Sequence, residues 1–395
     1  MSEFDLIERF LLPLSEQASK PAERDERYHN LFEAFRTFDD CALISVGDAM
    51  LAFSCDTLKQ DTHFTDTMPV DRVAYRAMAT AFSDLAAANT LPECAMLNLT
   101  LPQDIAKSSE QMALLQEGIA RFNTDYGTRL IGGDTVQGGQ LTLSVTAFGQ
   151  VRKYAGRASP LQRSEVKPGD KIFCTCPEGS LGFASLRLHP AFSTLGCSQK
   201  DRIDQAFYEP KLVFEQACEV ARCGGRAAMD ISDGLLADCQ KLAMRSQVAI
   251  LVNLPALPIS DRYLKLASEL GLTTKQSIIR AISYGDDYGL LCSIPSHKCS
   301  QDQLARLAAL GIFEIGQAVE YAASDKRIVE IDRRSMIDCS ISDQLRLSVN
   351  VEVFAEGQFA DSQLGGTDRQ FDEQLWRDLC QSIEQAAHGY DHFAS

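Results

Sequence analysis

No stretch of about 18 consecutive apolar residues occurs in the 395-residue chain, which excludes an α-helical membrane span. The first residues lack a basic segment followed by an apolar run, so no secretory signal is expected. Basic side chains are in the minority, 38 Lys and Arg against 54 Asp and Glu, giving a formal net charge of −16. Nucleic acid and anionic membranes each demand a basic face, and both are excluded as main partners. Thirteen cysteines are present, but no Cys-x-x-Cys pair. Cys174 and Cys176 stand too close for an ordinary zinc half-site, and His189 has no second ligand beside it. Free thiols in a reducing cytoplasm are the expectation. Also missing are the Gly-x-x-x-x-Gly-Lys-Ser/Thr phosphate loop and the catalytic-loop signature of protein kinases.

What is present is enough apolar material for a sizeable core, with 45% hydrophobic and 23% charged residues. The length favours two domains or one large one. Phe4 to Leu14 reads as a short amphipathic helix. The runs CALISV and AMLAF flank Gly47-Asp48, a hairpin signal. Apolar residues at helical spacing mark Val73 to Ala88 and Gln111 to Tyr126, and strands are expected from Met96 and over Leu141 to Val151. From Lys167 a turn runs into a buried strand, a restart that places a boundary near residues 151–164. Helices over Leu212–Arg222 and Gly234–Ser246 and a strand over Val248–Val252 follow. Strands and helices interleave throughout, so the class is α/β (α+β), built from packed layers. Residues 351–366 hold Gly, Asp and Ser with little periodicity and read as a connection, after which Thr367-Asp368 cap a helix running to about His388.

Five short acidic segments sit where an apolar run meets a turn: FDDCAL (Phe38 to Leu43), SCDTLKQDTHF (Ser54 to Phe64), FSDLAAA (Phe82 to Ala88), IGGDT (Ile131 to Thr135) and MDISDGL (Met229 to Leu235). Each has a simpler reading by itself. Ser83-Asp84 can start a helix, Gly132 to Thr135 can be a turn, and Asp230 to Gly234 resembles a calcium loop without its later ligands. Together they offer carboxylates that strand ends can bring into one cleft, and hard oxygen ligands suit magnesium. A nucleotide-using enzyme without a phosphate loop would neutralise polyphosphate through cations held by such aspartates.

Along the chain stand SEFDLIERF from Ser2, DDCAL, DTL followed by HF, SDLAA, GGDT, RSEVKPGD, DISDGL, GDDYGLL from Gly285, and GYDHF ending at Phe393. In that order and at that spacing they resemble the thiamine-monophosphate kinase family, within the superfamily of aminoimidazole-ribotide synthetase and selenophosphate synthetase. The resemblance implies a two-domain aminoimidazole-ribotide-synthetase-like fold. Residues 1–150 would form an N-terminal α/β domain that binds ATP and magnesium and dimerises through its sheet. Residues 151–345 would form a C-terminal α/β domain, and 346–395 an insertion, a helix and a closing substrate-binding motif. By matching position, Asp40, Ser54, Asp56, Asp84, Asp134, Asp230 and Asp233 look like magnesium ligands. Gly133, Asp134, Arg163 and Ser232 look like ATP contacts, with Arg163 a fixed charge for phosphate. His63 resembles a contact to the substrate phosphate, Tyr390 an aromatic substrate contact, and Asp286 a substrate-binding position. The implied reaction converts thiamine monophosphate and ATP to thiamine diphosphate by direct in-line transfer in a cytoplasmic homodimer. No side chain is assigned as acid or base, because a phosphate monoester is already largely ionised at neutral pH.

The sequence departs from the family pattern at several places. Phe38 replaces a glycine before the paired aspartates, Cys55 a threonine, Tyr284 a glycine and Asp286 a glutamate. Ala88-Asn89 and the CPEGS segment also differ. Every principal aspartate is retained, so activity is the expectation. Two other readings share these residues: a divergent paralogue acting on another small substrate, and a non-catalytic thiamine-phosphate-binding protein.

Overall fold

The computed structural model describes residues 39–321 and 329–331. The expected helices near the two ends, Phe38, the 346–386 insertion and Tyr390 lie outside the described residues.

The first sheet is built from β1 (Ala42–Val46), β2 (Ala49–Lys59), β3 (Thr90–Leu101), β4 (Arg129–Gln137) and β5 (Thr142–Val151), in the order β1-β2-β5-β3-β4. Val46 pairs with Ala49, leaving Gly47-Asp48 as the hairpin turn, and Gly47 has the left-handed φ of +57° that such a turn requires. Every neighbouring pair is antiparallel except β3 with β4. β5 alternates half-buried and buried residues along its whole length, the pattern of a sheet covered on one face.

The cover consists of α1 (Val70–Ala87), the short α2 (Gln103–Lys107) and α3 (Ser109–Tyr126). α1 is buried nearly all round, because it lies between this sheet, α3 and the second half of the chain. Alanines at 74, 77, 79, 81, 86 and 87 let those neighbours approach closely. On the α3 side, the Tyr75 and Phe82 rings meet Phe122 at centroid distances of 5.4 and 5.1 Å. Such pairs contribute about 0.5–1.5 kcal/mol each beyond their buried area. α3 opens on Ser108, which accepts the Gln111 N–H, and closes on Gly127 at φ +67°.

Two local expectations are overturned here. Gly132 to Thr135, readable as a turn, forms the middle of β4. Ser83-Asp84, readable in isolation as a helix start, falls near the end of α1, as the helical periodicity over Val73–Ala88 implies.

The second half opens with a small hairpin, β6 (Lys153–Tyr154) and β7 (Arg157–Ala158), and a 3-10 turn over Arg163–Glu165. There follow β8 (Asp170–Thr175), α4 (Cys197–Tyr208), α5 (Phe214–Arg222), β9 (Ala227–Ile231), α6 (Leu235–Ser246), β10 (Val248–Val252), α7 (Asp261–Glu269), α8 (Thr274–Ser283), β11 (Gly289–Pro295), α9 (Gln301–Ala309), β12 (Ile312–Glu320) and β13 (Val329–Ile331). The sheet order is β13-β10-β12-β8-β11-β9. β9, β10 and β11 are buried at every residue, as their near-continuous apolar sequences require. No helix among the described residues is long and apolar enough to cross a membrane.

Candidate active site

Between the two halves lies a cleft of about 790 Å³, within the range of small-molecule sites. Its acidic wall draws on four elements. Asp39 and Asp40 precede β1, Asp56 comes from β2, Asp84 from α1, and Asp230 and Asp233 from β9 and the turn after it. Carboxylate oxygens of Asp40, Asp84 and Asp230 lie within 4.8 Å of one another.

The helix supplies the logic of one side. Arg76, Thr80 and Asp84 recur every four residues on α1, so they form one stripe facing the cleft. Ser83, beside that stripe, donates to Asp230 at 2.8 Å and so ties α1 to β9. From β2, the Ser54 hydroxyl donates to the carboxylate of Asp84. Ser54 does not itself line the cleft; its observed role is to orient Asp84. Cys55, the next residue, is exposed, with its Sγ 3.5 Å from Thr146 Oγ1.

Burial, with crowding behind it, raises these carboxyl groups. Burial, reinforced by the charges of Asp230 and Asp56, drives Asp84 well above the ordinary carboxylate range, and the Ser54 hydrogen bond offsets part of this. Burial also raises Asp230, against the opposing Ser83 hydrogen bond and the Arg163 charge. Asp56 is pushed up to about 6 by burial and the Asp233 charge. Packed carboxylates that resist ionisation are a donor set short of positive charge. Hard oxygens converging within 4.8 Å fit a magnesium ion, which takes such ligands in a compact shell.

Cations face this wall. Arg163 pairs with Asp40 through its guanidinium, while its backbone N–H is 3.1 Å from both oxygens of Asp39. Lys241, on α6, pairs with Asp233 and, at 2.8 Å, with Asp238. Asp238 is fully buried, and its other oxygen accepts the N–H groups of Asp233 and Gly234 at 3.1 and 3.2 Å. That carboxylate fixes the turn between β9 and α6.

On the far side, residues 284–288 pack onto the same turn. The Asp286 N–H donates to Ser232 O at 3.0 Å and the Tyr288 N–H to Ile231 O at 2.9 Å. Gly285 has to be a glycine, since a Cβ there would run into the Ser232 carbonyl. Asp286 and Tyr288 adopt left-handed φ values of +69° and +47°, a strained choice for a tyrosine. Arg76 reaches from α1 to hold the loop. It pairs with the Asp286 carboxylate, donates to the Phe207 carbonyl, and lies 4.0 Å from the Phe207 ring centroid. His63, just after β2, lines the same cleft and accepts the Lys59 N–H on Nδ1 at 3.0 Å.

Of the residues expected from sequence, Asp40, Asp56, Asp84, Asp230, Asp233, Arg163, Ser232, His63 and Asp286 line this one cleft. Gly133 and Asp134 do not. They stand within β4, an edge strand exposed along its whole length, because their segment extends beside β3 instead of turning toward the aspartates. Tyr390 lies outside the described residues. Sequence reasoning missed Arg76, Thr80, Ser83, Asp238 and Lys241. The four-residue spacing from Arg76 through Thr80 to Asp84 was a usable signal; nothing local marks Asp238 or Lys241.

A family model described as "AIR synthase related protein, N-terminal domain" matches residues 38–151. A thiamine-monophosphate kinase of Haemophilus influenzae is 33% identical over 261 residues, 65% of this chain and 74% of that protein. The solved structure of a thiamine-monophosphate kinase from Stenotrophomonas maltophilia superposes with a TM-score of 0.61 at 27% identity, covering 81% of this chain and 95% of that one. A structure described as AaThiL complexed with AMPPCP and TMP superposes at 0.66, with 24% identity, covering 81% of this chain and 93% of that one. By sequence and by architecture, the chain belongs to the thiamine-monophosphate kinase family.

Proposed function

We propose that the protein transfers the γ-phosphoryl group of ATP to thiamine monophosphate, giving thiamine diphosphate and ADP. The observation that carries this reading is the convergence of Asp40, Asp56, Asp84, Asp230 and Asp233 from both halves of the chain into one cleft that also holds Arg163 and His63. It is supported by relatives that bear the name of this activity.

In this reading a phosphate oxygen of thiamine monophosphate attacks the γ-phosphorus of ATP. The new P–O bond forms as the bond to the β-phosphate oxygen breaks, and ADP leaves with that electron pair. No residue has to remove a proton, since a phosphate monoester is mostly dianionic near neutral pH. The obstacle is repulsion between two anions. Magnesium held by Asp40, Asp56, Asp84, Asp230 and Asp233, when bound, supplies the charge that offsets it. Ser54 and Ser83 keep Asp84 and Asp230 aimed. Arg163 presents a planar, permanently charged fork to phosphate. Ser232 sits on the turn where nucleotide oxygens would be received, and His63 and Asp286 are assigned to the thiamine monophosphate side. Arg76 holds Asp286 in place.

The protein works as a homodimer joined through the first sheet, whose open face and edge expose Leu91, Met96, Leu130, Ile131 and Val136. Asp134 and Gly133 lie on that edge, so their assignment to metal and ATP depends on what covers β4. The chain divides near residue 150, between the two sheets. A cytoplasmic setting agrees with the free thiols among the described cysteines.

The test is an assay with ATP, magnesium and thiamine monophosphate, with thiamine diphosphate measured by chromatography. Formation of thiamine diphosphate that disappears in Asp84→Asn is the expected result. Tight uptake of thiamine monophosphate with no product would instead establish a binding protein.

A further inference from the structure

Besides His63, three basic side chains line the cleft among the described residues: Arg76, Arg163 and Lys241. Each arginine pairs through its guanidinium with one carboxylate, Arg76 with Asp286 and Arg163 with Asp40. Lys241 is shared between two that differ in kind. Asp238 is fully buried and pinned by two backbone N–H groups, so it cannot follow its partner. Asp233 is one-third exposed, faces the cleft, and is free to take another cation. Lys241 itself remains partly accessible, with 20% of its side chain exposed.

We propose that Lys241 is a resident counter-ion that occupies Asp233 until a divalent metal displaces it, and then turns its ammonium, still tethered to Asp238, toward a phosphate oxygen in the cleft. This rests on the reading of Asp233 as a metal ligand. The physical basis is a single carboxylate contested by two cations. Asp233 holds Lys241 closely, and a divalent ion on the same oxygens would repel the ammonium. Lysine suits such an exchange, being a compact point charge on a flexible stem with three rotatable donors, whereas a guanidinium is a rigid fork. Among the described residues two of those donors are engaged, by Asp233 and Asp238. Release from Asp233 leaves the ammonium anchored on one side and unsatisfied on the side that faces the cleft. Metal entry would thus deliver a second positive charge to the place where two phosphates must meet, and Lys241 would act as a positioning residue for metal and a binding residue for phosphate.

The proposal predicts a sign that a structural ion pair does not. Manganese, a spectroscopic stand-in for magnesium, is titrated into the nucleotide-free protein while the free ion is followed by electron paramagnetic resonance. Lys241→Gln should bind manganese about three- to tenfold more tightly, because the competitor is gone. At saturating manganese the same variant should bind a methylene-bridged ATP analogue about tenfold more weakly, for want of one charged hydrogen bond. Lys241→Gln leaves the buried Asp238 without its cationic partner, so the double variant Asp238→Asn/Lys241→Gln removes both charges and should show both shifts in a protein that folds. If Lys241 only braces the turn, its loss leaves manganese affinity unchanged or lowers it, and either result overturns the proposal. Unchanged affinity for the analogue overturns it equally. A wild-type protein that binds no manganese would overturn the metal reading itself, and this inference with it.

Discussion

The two sheets of this molecule solve the same problem in opposite ways. In the second half, β9, β10 and β11 are buried at every position, and their sequences are apolar almost without interruption. In the first half, β5 alternates, β3 leaves Leu91 and Met96 open, and β4 is exposed from end to end although it carries Leu130, Ile131 and Val136. The buried strands of the second sheet are finished by their own chain, whereas the first sheet keeps an apolar open face and edge, the surface that the proposed homodimer would cover. The cleft lies where the two meet, and its carboxylates come from both. The finished half supplies Asp230 and Asp233 on a turn braced by Asp238. The half-open one supplies Asp40, Asp56 and Asp84.

The strongest way to break this picture is at the carboxylates. Asp84→Asn and Asp230→Asn should each lower kcat/KM for thiamine diphosphate formation at least about a thousandfold, because metal-held charge offsets most of the repulsion. The same substitutions should raise the melting temperature of the metal-free protein, since both carboxylates are raised by burial and mutual crowding. Lower activity with a lowered melting point would mean that these groups are structural.

A smaller effect is expected at the open sheet. Ile131→Glu and Val136→Lys should weaken self-association about a hundredfold or more by light scattering, since a charge buried at the centre of an interface is left unpaired. Met244→Lys, exposed on the second half, should change nothing. A wild-type protein that is monomeric at every concentration would contradict the dimer outright.

The smallest effect concerns pH. Asp39 and Asp56 are each pushed up to about 6 from an ordinary 3.8, mainly by burial. Between those values the folded protein keeps protons that the unfolded chain has lost, so their contribution to stability falls as pH rises from 3.8 through 6. Without metal, the melting temperature should be lower at pH 7 than at pH 5 by about 2–4 °C, and magnesium should raise it more at pH 7. Equal melting points in metal-free buffer would show that burial does not raise these two carboxylates.

Much of the architecture was legible in advance. The Gly47-Asp48 hairpin, the helices around Val73–Ala88 and Gln111–Tyr126, and the strand over Val248–Val252 follow from periodicity and turn chemistry, which are local properties. The site was legible only through motifs met in order. Short-range reading of single motifs was less secure: Asp134 falls within a strand and not a turn, and Asp56 falls inside an eleven-residue strand and not beyond its end, whereas Asp84 lies in the last turn of the helix that the Val73–Ala88 periodicity marks. Asp238 and Lys241 stayed invisible because an aspartate and a lysine three apart on a helix look like an ordinary exposed pair.

By itself, the sequence determined which segments would be helix or strand, which carboxylates were available, and that no phosphate loop would do their work, because propensity, periodicity and composition act over a few residues. Tertiary structure alone decided that Asp40, Asp84 and Asp230 share one cluster while Asp134 stands on a distant edge. It also decided that Arg76 would bridge the halves and that Lys241 would stand between a buried acid and an accessible one. Those outcomes depend on which faces two sheets turn toward each other, and no run of neighbouring residues encodes that.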